Sequence, residues 1–214
     1  MQTLGVFVKF AATRPLDNRS IVKETPRSLL NRLAEHPAEA DWRRLLDLYQ
    51  PFIAKWLSQA GVPEADSPDL SQDVLTAVVK EMPTFRHNDH TGAFRKWLRI
   101  VVVNRTRDYW RKRNTTQTAS DNSRLLDELE DPSSGLSGQW EREHNSHVSR
   151  QLLLMVKDEF ASTTWTAFRM QVIDGIKAAE VAARLEITVN AALIAKSRVL
   201  RRLREEADGL VEFA

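Results

Sequence analysis

Residues 95–113, RKWLRIVVVNRTRDYWRKR, hold their apolar side chains at helical spacing and read as one long helix. Phe94, Trp97, Leu98 and Val101 share one side at about 100° per residue. Lys96, Arg99, Val103, Arg107 and Trp110 fall on roughly the opposite side. The first set is expected to face a core and the second to face solvent, with Trp97 inside and Trp110 exposed. The nineteen residues carry eight Lys or Arg against one acid, Asp108, a local charge of +7 in a chain of net charge +2. Phosphate backbones attract such charge, and aromatic rings set among the cations can stack on bases drawn out of a duplex. The plainer reading of the same residues is a solvated basic helix with buried aromatics.

Around this helix the composition is that of an ordinary globular protein. The chain has 214 residues, 42% of them hydrophobic, enough for one large domain or two small ones. Glycine is scarce, at 7 residues, and no stretch alternates as a strand would, so the expected fold class is all-α. The absence of cysteine excludes disulfides and cysteine-ligated metal. No apolar run approaches the roughly 20 residues of a bilayer span. The opening MQTLGVFVKFAATRP lacks the charges and cleavage site of a signal peptide, so a cytoplasmic protein is expected.

Charge is segregated along the chain. Residues 114–145 carry seven acids against Arg124 and Arg142, so a segment of charge −5 follows directly on the +7 helix. Lys196 to Arg204 then carries five basic residues and no acid. Mutual attraction between the basic helix and the acidic segment is expected to mask the basic surface in the free protein, though salt screens such attraction over about 8–10 Å.

Residues 1–25 show no clear periodicity and are expected to be disordered. A helix begins near Pro26 with Leu29, Leu30 and Leu33 inward, and another runs from about Ala38 to Ala60. Ser67 can cap the next helix, with Pro68 in its first turn and Asp69 complementing its dipole. There Leu70, Val74, Ala77 and Val78 point to a core, while Asp69, Asp73, Thr76 and Lys80 form another stripe with Gln72 beside it. Residues 26–114 make a first domain. Residues 115–140, rich in Asn, Ser, Thr and Gly, have the composition of a flexible acidic linker. Residues 141–214 form a second helical domain, with helices near 141–157, 163–174, 178–185 and 189–208.

Within that second domain, Lys177 to Arg204 has the layout of a helix-turn-helix. A short helix meets a turn of about three residues, and Thr188 caps a longer helix. Val189, Ala192, Leu193, Val199, Leu200 and Leu203 are expected to form its packed face. Asn190, Ala191, Ile194, Ser197, Arg198, Arg201 and Arg202 are expected to project outward. Early residues of such a helix reach base edges, and later arginines meet bases or phosphates. An amphipathic helical hairpin with no DNA role has the same pattern.

The order of these motifs resembles a bacterial RNA polymerase sigma factor of the extracytoplasmic-function type (group IV of the sigma-70 family), which has only sigma regions two and four. The residues carrying the resemblance are DLSQDVL at 69–75, GAFRKWL at 92–98, NRTRDYWRKR at 104–113, and AEVAARL and TVNAALIAKSR within 179–198. The resemblance implies that Asp69, Gln72, Asp73 and Thr76 dock on the clamp helices of the polymerase's largest subunit. It implies that Arg86, Lys96, Arg99, Asn104, Arg107, Trp110 and Arg111 bind and open the minus-10 promoter element, capturing flipped bases. It further implies that Thr188, Asn190, Ala191, Ile194, Lys196, Ser197, Arg198, Arg201 and Arg202 bind the minus-35 element. Region four is expected to touch the flap of the second-largest subunit, and an anti-sigma protein is a further partner such factors admit.

Glu186 departs from the family pattern by standing where glycine usually makes the turn, and the chain before residue 26 has no counterpart in the minimal plan. The apolar start of the second helix leaves base readout to Asn190, thymine-methyl contacts and Arg198. His87 and His90 lack a third clustered ligand, so no metal is expected. No phosphate-binding glycine loop, nucleophile elbow or catalytic carboxylate pair is present, so neither enzyme activity nor a cofactor is expected. The competing function is a stand-alone helix-turn-helix regulator whose first domain senses or dimerises. A helical adaptor that mimics sigma is a third class.

Overall fold

The computed structural model describes residues 28–85, 92–113 and 118–211. Among them every regular element is helical, as an all-α chain requires: α1 (Leu29–Glu35), α2 (Glu39–Gln59), α3 (Ser67–Glu81), a 3-10 turn (Met82–Thr84), α4 (Ala93–Arg113), α5 (Thr118–Glu130), α6 (Gly135–Lys157), α7 (Ser162–Val172), α8 (Ala178–Leu185) and α9 (Val189–Ala207). They divide into two compact units, 29–148 with 209–211, and 149–208 with Ser28.

In the first unit α4 is the central element. Phe94, Leu98, Val101, Val102 and Val103 are all buried, so its apolar side is wider than the stripe of Phe94, Leu98 and Val101 alone. Tyr49 of α2 lies 5.4 Å from Phe94, centroid to centroid, and α3 contributes Leu70, Val74, Ala77 and Val78, all buried as their spacing predicts. Trp97 is half-buried, its ring 5.1 Å from Phe85 and 5.5 Å from Phe94.

The stretch read as a flexible linker is different in the structure. It is helical over 118–130 and again from Gly135, and the first unit continues to Val148. The physical reason is a sparse apolar pattern within polar composition. Leu126 and Leu129 of α5 are buried, and Trp140, His144 and Val148 recur every four residues on α6, all three completely buried. Trp140 packs edge-on to Phe52 at 4.7 Å and lies 5.0 Å from Trp56, while His147 Nε2 is 2.7 Å from the Leu48 carbonyl. Burying large side chains of this kind contributes about 1.5–3 kcal/mol each, enough to hold a segment that lacks a continuous apolar face.

The second unit contains a helix-turn-helix whose two helices, α8 and α9, begin where the spacing places them. Ala167, Met170, Val181, Ala182, Ala192 and Ala195 form its core, and Ile176, Leu185 and Ile187 pack against it. Small alanines let α9 approach α7 and α8 closely. Thr188 caps α9, its hydroxyl oxygen accepting from the Ala191 N–H at 3.1 Å.

Candidate nucleic-acid interface

Eight cations on one helix repel one another unless the fold separates or neutralises them, and α4 does both. Lys96, Asn104, Arg111, Lys112 and Arg113 are exposed. Arg95 and Arg99, in contrast, are 2% and 3% exposed. Arg95 Nη1 donates to Asn145 Oδ1 at 2.9 Å and its other terminal nitrogen lies 3.5 Å from Glu141. Arg99 donates to the Ser137 hydroxyl, and burial lowers its pKa from the ordinary value, with Glu141 acting in the opposite sense. Arg107 is half-buried and paired with Asp127 and Glu130.

Helical spacing placed Arg99 and Val103 on the solvent side of α4, and both are buried. The periodicity was sound for one neighbour, the α2 and α3 side. It could not register a second layer, α5 and α6, covering the other side. Arg99 in its present setting is a buried partner of Ser137, not a surface cation.

At the C-terminal end of α4, Trp110 is half-buried rather than exposed, its ring edge-on to Tyr109 at 4.9 Å. Its indole Nε1 is buried and has no hydrogen-bond partner. Tyr109 donates its hydroxyl to Asp66 Oδ2 at 2.6 Å, and Arg113 donates to both Asp66 and the Tyr109 oxygen. The tyrosine hydroxyl, then Arg113, hold the Asp66 carboxyl below the usual carboxylate range. Asp66 rather than Ser67 is the residue preceding the first turn of α3; its backbone is helical rather than extended and its side chain makes no cap, Oδ2 accepting from α4 instead.

Along α3, Asp69, Gln72, Asp73 and Thr76 are all exposed on one stripe, as their spacing predicts. Asp66, Asp69 and Asp73 face Arg105, Lys112 and Arg113 across a cleft of about 430 Å³ to which Tyr109 also contributes. The acidic stripe and the end of the basic helix therefore meet at one groove of the first unit.

In the second unit Thr188, Asn190, Ala191, Ile194, Ser197, Arg198 and Arg201 are exposed on α9. Lys196 is half-buried, with its pKa lowered by desolvation. Arg202 is not a free outward cation: Nε donates to Glu159 Oε2 at 2.7 Å and Nη1 to Glu206 Oε2 at 2.8 Å. Val189 and Leu193, expected in the packed face, are exposed. The turn before α9 places Glu186 at φ 54° and ψ 39°, the left-handed conformation that favours glycine.

Arg86, His87 and His90 lie outside the described residues. Among the described residues no group of three potential metal ligands is present, and no helix is long and apolar enough to cross a membrane. Sequence reasoning missed the network of Tyr49, Arg95 and His144 beneath α6. Tyr49 Oη lies 3.0 Å from His144 Nε2, and burial pushes the His144 pKa down to about 3, with Arg95 adding to the effect. The four-residue spacing of Trp140, His144 and Val148 was its only sequence signal.

Residues 45–116 match the family model for sigma-70 region 2. The matched stretch begins within α2, takes in α3 with its acidic stripe, and runs past the end of α4. No curated protein matches the chain. Over those residues the first unit is therefore similar to region 2 of the sigma-70 family.

Proposed function

We propose that the chain is a sigma factor of the extracytoplasmic-function type that binds core RNA polymerase, recognises minus-10 and minus-35 elements, and promotes strand opening. The observation that carries this reading is the region 2 match over α3 and α4, the helices that bear the exposed acidic stripe and the basic, aromatic surface. A second compact unit with a helix-turn-helix and exposed arginines supports the two-region plan.

In this reading Asp69, Gln72, Asp73 and Thr76 dock on the clamp helices of the largest subunit. Lys96, Asn104 and Arg111 contact the minus-10 strand from exposed positions, Arg107 joins them on release from its acidic partners, and Trp110 offers a ring for stacking. Arg99 supports α4 from within. The exposed face of α9 enters the major groove of the minus-35 element, and the second unit touches the polymerase flap. An anti-sigma protein covering these surfaces is the partner class that follows, in the cytoplasm where the polymerase works.

Run-off transcription with purified bacterial core polymerase, with and without the protein, on a pool of genomic promoter fragments tests this. Protein-dependent transcripts with discrete starts are expected. Duplex binding without core binding would instead establish a stand-alone regulator.

A further inference from the structure

The exposed apolar residues of α9 form a patch that its neighbours do not cover. Val189 is 45% exposed, Leu193 48% and Ile194 47%. The remaining large exposed hydrophobics among the described residues, Ile100 and Leu154, lie elsewhere in the chain, so three of five concentrate within six residues. Single exposed apolar residues need no explanation, whereas three within six residues of one helix call for one. At about 100° per residue, Val189 and Leu193 lie near one another, Ile194 lies further round, and Asn190 and Ser197 fall between them.

Charge selects the occupant. Continuing along the same face, the patch leads to Ser197, Arg198 and Arg201, all exposed, and no acid occurs between Thr188 and Arg204. The first-turn N–H groups of α9 add the positive end of the helix dipole beside the patch. An apolar tip flanked by cations is matched by a major groove, where phosphates line the edges and the thymine C5-methyl is the apolar feature of the base edges. Val189 and Leu193 stand about 6 Å apart along the helix axis, close to two base steps of about 3.4 Å.

We propose that Val189, Leu193 and Ile194 are specificity-determining residues that read thymine methyl groups in the duplex bound by α9, with Asn190 between them supplying the polar base contact. This rests on the reading of α9 as the minus-35 helix. It adds that selectivity comes from methyl contact and desolvation as much as from hydrogen bonds. Sequence periodicity assigned Val189 and Leu193 to the packed face. Their exposure in the structure makes them available for this role.

The test uses duplexes selected from a random pool by the full chain bound to core RNA polymerase. In each selected duplex thymines are then replaced singly by deoxyuridine, which keeps every hydrogen-bonding group and removes only the methyl. Affinity is expected to fall roughly four-fold for each methyl that α9 contacts. Leu193→Ala is expected to weaken the thymine duplex while leaving the deoxyuridine duplex unchanged. Because Leu193 is at the surface, and deoxyuridine needs no protein variant, loss of folding does not confound the result. Unchanged affinity on deoxyuridine replacement, with Arg198→Ala still weakening binding, would overturn methyl readout and leave the minus-35 assignment standing. Loss of core binding in Leu193→Ala without any deoxyuridine effect would make the patch a protein contact. Failure to bind any duplex in complex with core would overturn both readings.

Discussion

Arg107 and Glu130, twenty-three residues apart, are joined by a charge-assisted hydrogen bond of 2.5 Å from Nη1 to Oε2. The other terminal nitrogen of Arg107 donates to Asp127 Oδ1 at 2.6 Å. The acidic segment thus neutralises a cation proposed to contact minus-10 DNA, from helix α5 that follows α4 in the chain. Phosphate and carboxylate compete for the same guanidinium, so in the proposed strand-bound state Arg107 exchanges partners.

Replacing both acids, Asp127→Asn with Glu130→Gln, is expected to raise the affinity of the free protein for a single-stranded oligonucleotide by about three- to ten-fold. The range follows from partly exposed ion pairs worth up to about 1 kcal/mol each, discounted for screening. Fluorescence anisotropy at two salt concentrations reads the effect, and the gain is expected to shrink at high salt. Equal affinities for variant and parent at low salt would show that the pairing does not compete with DNA.

His144 gives a pH dependence with a definite sign. It is completely buried, with Tyr49 of α2, Arg95 of α4 and Asn145 and His147 of α6 around it. Burial first, then the charge of Arg95, hold its pKa at about 3, against an ordinary value of 6.5. Between these values the unfolded chain binds the proton and the folded chain does not, so folding is progressively destabilised as pH falls below about 6.5. The expected loss between pH 7 and pH 5 is about 2 kcal/mol for this group. Urea unfolding of the parent and of His144→Gln at both pH values measures it. The parent should lose more stability than the variant on acidification, and identical losses would show His144 to be accessible to protons.

The sequence disclosed most of this fold because its apolar residues recur at helical spacing in long elements. The α3 stripe of Asp69, Gln72, Asp73 and Thr76 and the cap at Thr188 are both where that spacing and side-chain chemistry place them. What stayed hidden depends on tertiary layers. Arg99 looked external because one helix has a single apolar stripe in projection, yet α4 is covered on a second side. The segment 115–140 looked like a linker because its composition is polar, and its few anchors, Leu126, Leu129 and Trp140, are diluted among acids and serines. At Val189 and Leu193 the error ran the opposite way. Apolar character there was read as core, whereas Ala192 and Ala195 alone supply the packed side of the first two turns.

Glu186 places a non-glycine residue at φ 54° between α8 and α9. The Cβ of an L-residue in this conformation crowds its own backbone, at a cost of about 1–2 kcal/mol, while glycine pays only its larger unfolded entropy. Glu186→Gly is therefore expected to stabilise the second unit by about 0.5–1 kcal/mol, a rise in melting temperature of roughly 3–6 °C for a unit of this size. Differential scanning calorimetry should place the gain in the transition that reports the helix-turn-helix. A lower melting temperature would mean that the Glu186 side chain contributes more than the backbone conformation costs.

The acidic stripe offers a test of polymerase docking that leaves DNA contacts untouched. Asp69 and Asp73 are exposed on α3, away from the buried Leu70, Val74 and Val78, so their replacement removes no packing. They also face Arg105 and Lys112 across the cleft, so charge reversal would set like charges against α4. Asp69→Asn with Asp73→Asn avoids that repulsion and gives up only the screened attraction of two exposed acids for Arg105 and Lys112 along with the negative charge offered to a partner. This double variant is expected to keep the parent's melting temperature and its affinity for duplex DNA. Its affinity for core polymerase should fall by about ten-fold or more, most of it in association rate, because complementary charge steers encounter. The Asp69→Lys, Asp73→Lys variant should fall further, since like charges at an interface cost several kcal/mol. Surface binding of immobilised core at low and moderate salt measures both. Parent-like core binding by the double asparagine variant would remove α3 from the polymerase interface and assign its acids to balancing α4.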